Sequence, residues 1–190
     1  MSYLKKIEYE MVPTKSFLVL RNCSGCGAKA HYKNTKKFRI NANGNNLDVW
    51  LIYQCEKCKH TFNLTVYERQ KVKAVPQEEY RRFLSNDEEL AEEYGRNLAF
   101  FKKNKAEVDF ENVGYQFVKL QETETENDGG QQVLLVIHNP YGLKIRPEKQ
   151  IAEVLEVSRS QVKKRMEQEK IRIENMSSQS ISIYLNNFIM

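Results

Sequence analysis

Cys23, Cys26, Cys55 and Cys58 form two Cys-x2-Cys pairs with 28 residues between them, and they are the only cysteines in a chain of 190 residues. Two cysteines separated by two residues bend into a knuckle whose sulfurs converge on one ion, and Gly25 and Gly27 ease that bend in the first pair. Four thiolates in a tetrahedron are the ligand set of a structural zinc, and they leave no position open for substrate or water. The spacing therefore predicts one structural zinc on Cys23, Cys26, Cys55 and Cys58. A redox pair needs only one such motif, so its duplication argues against that chemistry, whereas an iron–sulfur cluster would use the same thiols. His60, two residues past Cys58, and His31 are weaker ligand candidates and read better as polar surface residues. His138, just before Asn139-Pro140, reads as structural.

Composition agrees with metal rather than disulfide. No apolar run approaches the length that crosses a bilayer, and MSYLKKIEYEMVP has neither an apolar signal core nor a small-residue cleavage site. A cytoplasmic location follows as the expectation, and thiols stay reduced there. Small domains bury little surface, and a metal is one remedy.

The elements that must position the thiols are short strands. Phe17–Arg21 leads into Cys23, and Phe38 and Ile40 alternate with basic residues in 37–41. The 42–46 stretch, Ala-Asn-Gly-Asn-Asn, is turn chemistry, since Gly and Asn tolerate positive φ. Residues 47–54 form a β-branched and aromatic strand, and 61–66 alternate with Phe62, Leu64 and Val66 inward. Tyr32, Lys33, Lys36, Lys37, Arg39, Trp50 and Tyr53 place bases beside aromatics on this sheet, a mixture suited to nucleic acid, although the neighbours of Trp50 read it as core. Helices follow from Pro76 to Leu84, from a Ser85/Glu88 capping box to a stop at Gly95, and over 98–105. Strands are expected at 115–120 and 133–138, joined by a mobile acidic hairpin loop over 121–132.

The second informative segment is Leu143–Ile173. Pro147 suits a first helical turn, Ile151, Ala152, Val154 and Leu155 give an apolar face, and Ser158 with Gln161 makes a capping box for a basic second helix. Residues 21–73 carry eleven Lys and Arg against Asp48, Glu56 and Glu68, and 144–173 carry nine against five acids, whereas 107–128 carry seven acids against Lys119. Two basic regions flanking an acidic one favour a polyanionic partner.

This segment resembles the RNA-binding motif named after ribosomal protein S-four: a basic-apolar lead-in at Lys144-Ile145-Arg146, an apolar helix, a Ser158-Arg159-Ser160 turn, a basic helix with Lys163, Lys164 and Arg165, and a returning strand at 171–173. The resemblance implies that Lys144, Arg146, Arg159, Ser160, Lys163, Lys164 and Arg165 contact structured RNA. A helix N-terminus at Ser158 is itself a phosphate site. Residues 148–168 also resemble a DNA-binding helix-turn-helix, with Ser160, Gln161 and Lys164 facing the major groove. The whole chain, through CSGCG at 23–27, the 38–69 stretch and LSNDEELAEEYG at 84–95, resembles an uncharacterised bacterial family, the domain-of-unknown-function family numbered ten sixty-two.

The expected architecture is α+β: a zinc-ribbon-like antiparallel sheet in 1–75, a helical connector in 76–106, and strands with an RNA-binding-type helix pair in 107–190. The expected function is non-enzymatic binding of structured RNA, rRNA or tRNA, in a translation-linked role. The alternatives are a DNA-binding transcriptional regulator and a zinc-stabilised protein-interaction adaptor. No phosphate loop, catalytic triad or small-molecule substrate site is evident in the sequence.

Overall fold

The computed structural model describes residues 2–127 and 132–186. In chain order its elements are the strands β1 (Ser2–Pro13), β2 (Val19–Cys23), β3 (Ala28–Asn43), β4 (Asn46–Cys55) and β5 (Thr61–Lys71), followed by the helices α1 (Gln77–Leu84), α2 (Glu88–Arg96) and α3 (Leu98–Lys103). Then come the strands β6 (Glu107–Val108), β7 (Tyr115–Asn127) and β8 (Gln132–His138), the helices α4 (Pro147–Val154) and α5 (Arg159–Glu167), and the strands β9 (Ile171–Met176) and β10 (Ser180–Asn186). The α+β class is as expected. The chain forms two units: residues 13–114, and the chain up to Val12 together with everything from Tyr115 onward. Residues 76–106, expected as a connector, lie within the first of these, and 107–190 contributes to both.

In the unit of residues 13–114 the sheet order is β5-β4-β3-β2-β6, and neighbouring strands run antiparallel throughout. Alternation in β4 is complete: Leu47, Val49, Leu51, Tyr53 and Cys55 are all buried, while the residues between them are half-buried. Trp50 falls on the second face, half-exposed with the Arg39 guanidinium 5.8 Å from its ring, so it is not core. Tyr32 and Tyr53 are buried on the inner face rather than displayed beside the lysines. The period of two sorts these side chains whatever their chemistry. Gly44, at φ +58°, makes the β3–β4 turn between Asn43 and Asn46.

The three helices supply the aromatic half of this core. Phe83 meets Phe38 with ring centroids 4.9 Å apart, and Phe101 meets Tyr53 at 6.0 Å, both edge to face. Asn86 takes φ +51° in the tight turn after α1, which moves the helix cap one residue past it. Asp87, not Ser85, caps α2 by accepting from the Leu90 amide at 2.7 Å, and Ser85 instead donates to the Arg82 carbonyl. Gly95 does not end α2, which runs through to Arg96. A Cβ at 95 would lie 2.1 Å from Ser16 Oγ and 2.6 Å from its Cβ, so this glycine permits a close approach inside the helix.

The other unit is a five-stranded sheet in the order β7-β1-β8-β10-β9. β1 pairs parallel with β8, and β10 pairs antiparallel with both β8 and β9. β7 and β8 are therefore not a hairpin, because β1 lies between them. β7 continues as strand through Asn127, so the expected acidic loop is strand over 121–127; the remainder, 128–131, lies outside the described residues. The strands at 2–13 and 180–186 were not expected. Ile7, Leu135, Ile137, Ile183 and Leu185 meet Ile151 and Ala152 of α4, Val162 of α5 and Ile171 in one core. The helix pair is thereby fixed on one face of the sheet.

Gly95→Ala is expected to destabilise the chain by roughly 1–3 kcal/mol through overpacking, although alanine favours helix; a denaturant midpoint equal to or above that of the native chain would contradict the clash with Ser16. In the second unit Glu8 is held at a pKa of about 2, below its ordinary 4.5, by Lys6 first, then His138 and Gln121. That stabilisation is full above about 4.5 and is lost as pH falls toward 2. Glu8→Gln should accordingly lower the unfolding midpoint at neutral pH, with the gap closing across that acid window.

Candidate metal centre and basic cleft

Sheet topology brings the two Cys-x2-Cys motifs together. Cys23 ends β2 opposite Ala28 of β3, and Cys55 ends β4 with Thr61 opening β5. In the antiparallel order β5-β4-β3-β2, the β2–β3 and β4–β5 turns fall at the same end of the sheet, opposite the Gly44 turn. The four sulfurs lie within 4.8 Å of one another, with Cys23–Cys58 at 3.4 Å and Cys26–Cys55 at 3.8 Å. Zinc–sulfur bonds of about 2.3 Å in a tetrahedron require sulfur separations of about 3.8 Å, so the cluster fits one such ion. The four cysteines are free thiols rather than disulfides.

The two knuckles repeat each other. The Cys23 carbonyl accepts from the amides of Cys26 (3.2 Å) and Gly27 (2.8 Å), and the Cys55 carbonyl accepts from Lys59 (3.1 Å). The fourth residue after each first cysteine is left-handed: Gly27 at φ +67° and Lys59 at φ +67°. Glycine adopts that conformation freely, whereas lysine meets its Cβ penalty of roughly 1–2 kcal/mol. Gly25 serves a different need, since a Cβ there would sit 2.8 Å from the Cys58 sulfur.

Cys23 and Cys55 are buried, and Cys58 faces solvent. The Tyr32 hydroxyl is the largest influence on Cys23 and pulls its thiol down to about 6, while the neighbouring sulfurs, Cys58 foremost, and burial push Cys26 up to about 12. Four sulfurs this close resist ionising together, and a cation removes that conflict. Arg21 stacks 3.7 Å from the Phe62 ring beside Tyr32. Neither histidine joins the cluster. His60 Nε2 bonds Ser24 Oγ across the two knuckles at 2.9 Å, and its carbonyl accepts from Cys55 N at 2.9 Å. His31 Nε2 pairs with Asp109 at 2.8 Å.

In the other unit the expected nucleic-acid residues divide. Arg146, Arg159, Ser160 and Lys163 line one cleft of about 390 Å³, together with Glu148 and Lys149, which were not expected. Lys144 and Lys164 are exposed but do not line it, and Arg165 is half-buried. The α5 capping box is complete: Ser158 Oγ accepts from Gln161 N at 3.2 Å, and Gln161 Oε1 accepts from Ser158 N at 2.9 Å. Two buried amides set the position of Arg146. Asn139 bonds both the carbonyl and the amide of Leu143 at 2.9 Å, and Gln150 donates to the Ile145 carbonyl at 2.7 Å. The sequence hint for Asn139 was Asn-Pro-Tyr-Gly, in which Gly142 takes φ +59°; Gln150 gave none.

Residues 40–177 match the family described as "Protein of unknown function (DUF1062)". The chain belongs to this family. No curated protein and no solved structure matches it. No helix among the described residues is long and apolar enough to cross a membrane.

Removing one ligand should release the ion, because three thiolates hold a structural metal far less well than four. Elemental analysis is expected to give one metal per native chain and less than a tenth of that for Cys55→Ser. The same variant should lose cooperative unfolding of residues 13–114; full metal content in it would place the ion elsewhere.

Proposed function

We propose that this is a non-enzymatic, zinc-stapled protein that binds structured RNA through the cleft between α4 and α5. One observation carries the reading: Arg146 and Arg159, thirteen residues apart, converge with Ser160 and Lys163 on one concave surface at the N-terminus of α5. Three of those residues are bases, Lys149 adds a fourth, and Glu148 is the single acid lining the cleft. Phosphate suits such a place, since free backbone amides and guanidinium groups both address it. The order helix, helix, short strand is that of the S-four-type RNA-binding motif, with β9 as the strand.

The zinc acts in folding on this reading. With all four thiolates on the ion its shell is closed, and metal binding adds to the stability of the sheet that carries it. The protein would meet rRNA or tRNA in the cytoplasm, in a translation-linked role.

A DNA-binding helix-turn-helix shares some of this geometry. Glu156, at φ +52°, makes the tight bend between α4 and α5 that such a motif requires. Against it, α4 follows a strand and a loop rather than a helix, and the β9–β10 hairpin is built into the sheet instead of projecting as a wing.

The test is retention of a hairpin RNA and of an equally long DNA duplex by the metal-loaded chain across a salt series. The native chain is expected to prefer the RNA. Arg159→Ala/Lys163→Ala/Lys164→Ala should weaken binding at least tenfold and flatten the salt slope by about 0.7–0.9 for each phosphate no longer neutralised. Preference for the duplex would support the DNA reading. Salt-insensitive behaviour with both would leave the helix pair as packing and favour a protein-interaction adaptor.

A further inference from the structure

Within residues 13–114 lies a second cavity, of about 770 Å³, lined by none of the four cysteines. Its wall comes from four places distant in sequence: the 14–18 segment, the middle of β3, Glu56 just after β4, and Glu92 on α2, with 112–114 completing it. That volume is in the range that holds a small metabolite.

The interior is polar and built. Glu92 Oε2 accepts from both the amide and the hydroxyl of Ser16, at 2.9 and 2.7 Å. Asn34 Nδ2 donates to Ser16 Oγ at 2.9 Å and to the Ala91 carbonyl at 2.7 Å, and Asn34 Oδ1 accepts from Lys36 N at 2.8 Å. Two local costs accompany this arrangement. Residue 95 must be glycine within a helix for Ser16 to reach Glu92, and Lys36 sits at φ +59° in a β3 bulge. Lys36 lines the cavity and Gly95 backs Ser16, which also lines it, and these two departures mark the place as shaped by more than closing the sheet.

Its charges define a ligand. Lys36 Nζ lies 3.7 Å from Glu92 Oε1 and 3.0 Å from Glu88, so it is engaged. Lys15 and Lys33 are exposed at the rim, and neither side chain has an ion pair or hydrogen bond among the described residues. Glu56 also lines the cavity as an exposed carboxylate, and the two free ammonium groups outnumber it and answer an anion. Glu92 Oε1 faces Lys36 at 3.7 Å but makes no hydrogen bond among the described residues, so it can accept one from a hydroxyl. We infer that this cavity binds a small phosphorylated polyol of sugar-phosphate or mononucleotide size, with its phosphate on Lys15 and Lys33 and a hydroxyl on Glu92.

The metal-loaded full chain can be titrated calorimetrically with ribose 5-phosphate, adenosine 5′-monophosphate, ribose and inorganic phosphate. Binding of at least one phosphorylated sugar, at least tenfold tighter than both ribose and inorganic phosphate, is expected. Lys15→Ala/Lys33→Ala changes only exposed side chains, should leave the unfolding midpoint in place, and should weaken that binding at least tenfold. Glu92→Gln keeps the shape and should weaken the phosphorylated sugar more than inorganic phosphate. Absence of binding by every probe at millimolar concentration would overturn the assignment, as would binding indifferent to the lysine pair. It would also fall if the lysine pair lowered RNA retention while no small molecule bound, since the lysines would then be contacts to RNA. Arg159, Lys163 and Lys164 lie in the other unit, so failure of the RNA reading leaves this result standing.

Discussion

Four sulfurs within 4.8 Å of one another cannot all be thiolates without a cation among them, and the sheet of residues 13–114 is arranged around that constraint. Both knuckles are hairpin turns, so a shift of register in either strand pair would carry two sulfurs away from the other two. Each knuckle also closes on itself through a carbonyl of its first cysteine. The rise at Cys26 expresses the conflict between neighbouring sulfurs, whereas the Tyr32 hydroxyl favours the thiolate at Cys23. A metal at this point ties β2, β3, β4 and β5 at one end, while the aromatic contacts of Phe83 and Phe101 hold them further along.

The second unit solves a different problem. It has no cysteine and relies on a mostly aliphatic core, with Ile7 and Ile183 of the sheet meeting Ile151 and Val162 of the helices. Because α4 and α5 spend their apolar faces on the sheet, their polar faces are free to be basic. The buried amides of Asn139 and Gln150 then fix the loop before α4, which is how an exposed Arg146 comes to share a cleft with α5. Packing and polar chemistry are thus divided between the two sides of one helix pair.

The three sites differ in kind. The four thiols of the cluster could close the shell of a metal ion by themselves. The basic cleft and the Ser16–Glu92 cavity are open, and each has cationic side chains at its surface. Charge alone does not distinguish them; the surrounding polar network does. Around Glu92 it is half-buried and shaped by Gly95, while around Arg159 it is an exposed helix start.

The sequence determined the features that rest on neighbours along the chain. Cys-x2-Cys spacing, the Asn-Gly turn at Gly44, the strand at 47–54, Pro147 at a helix start and the Ser158/Gln161 box all depend on a few consecutive residues, and all stand in the structure. Tertiary structure alone decided which strands pair. β1 takes its place between β7 and β8 through contacts more than a hundred residues apart, and nothing within Ser2–Pro13 specifies that partner. The same holds for Gly95, which local rules read as a helix stop and which the approach of Ser16 makes a packing residue. It holds as well for Trp50, whose neighbours suggested core until the sheet's period set it on the other face. Backbone hydrogen bonds and turn conformations are short-range and leave a local pattern, whereas strand order and close approach arise between distant segments and leave none.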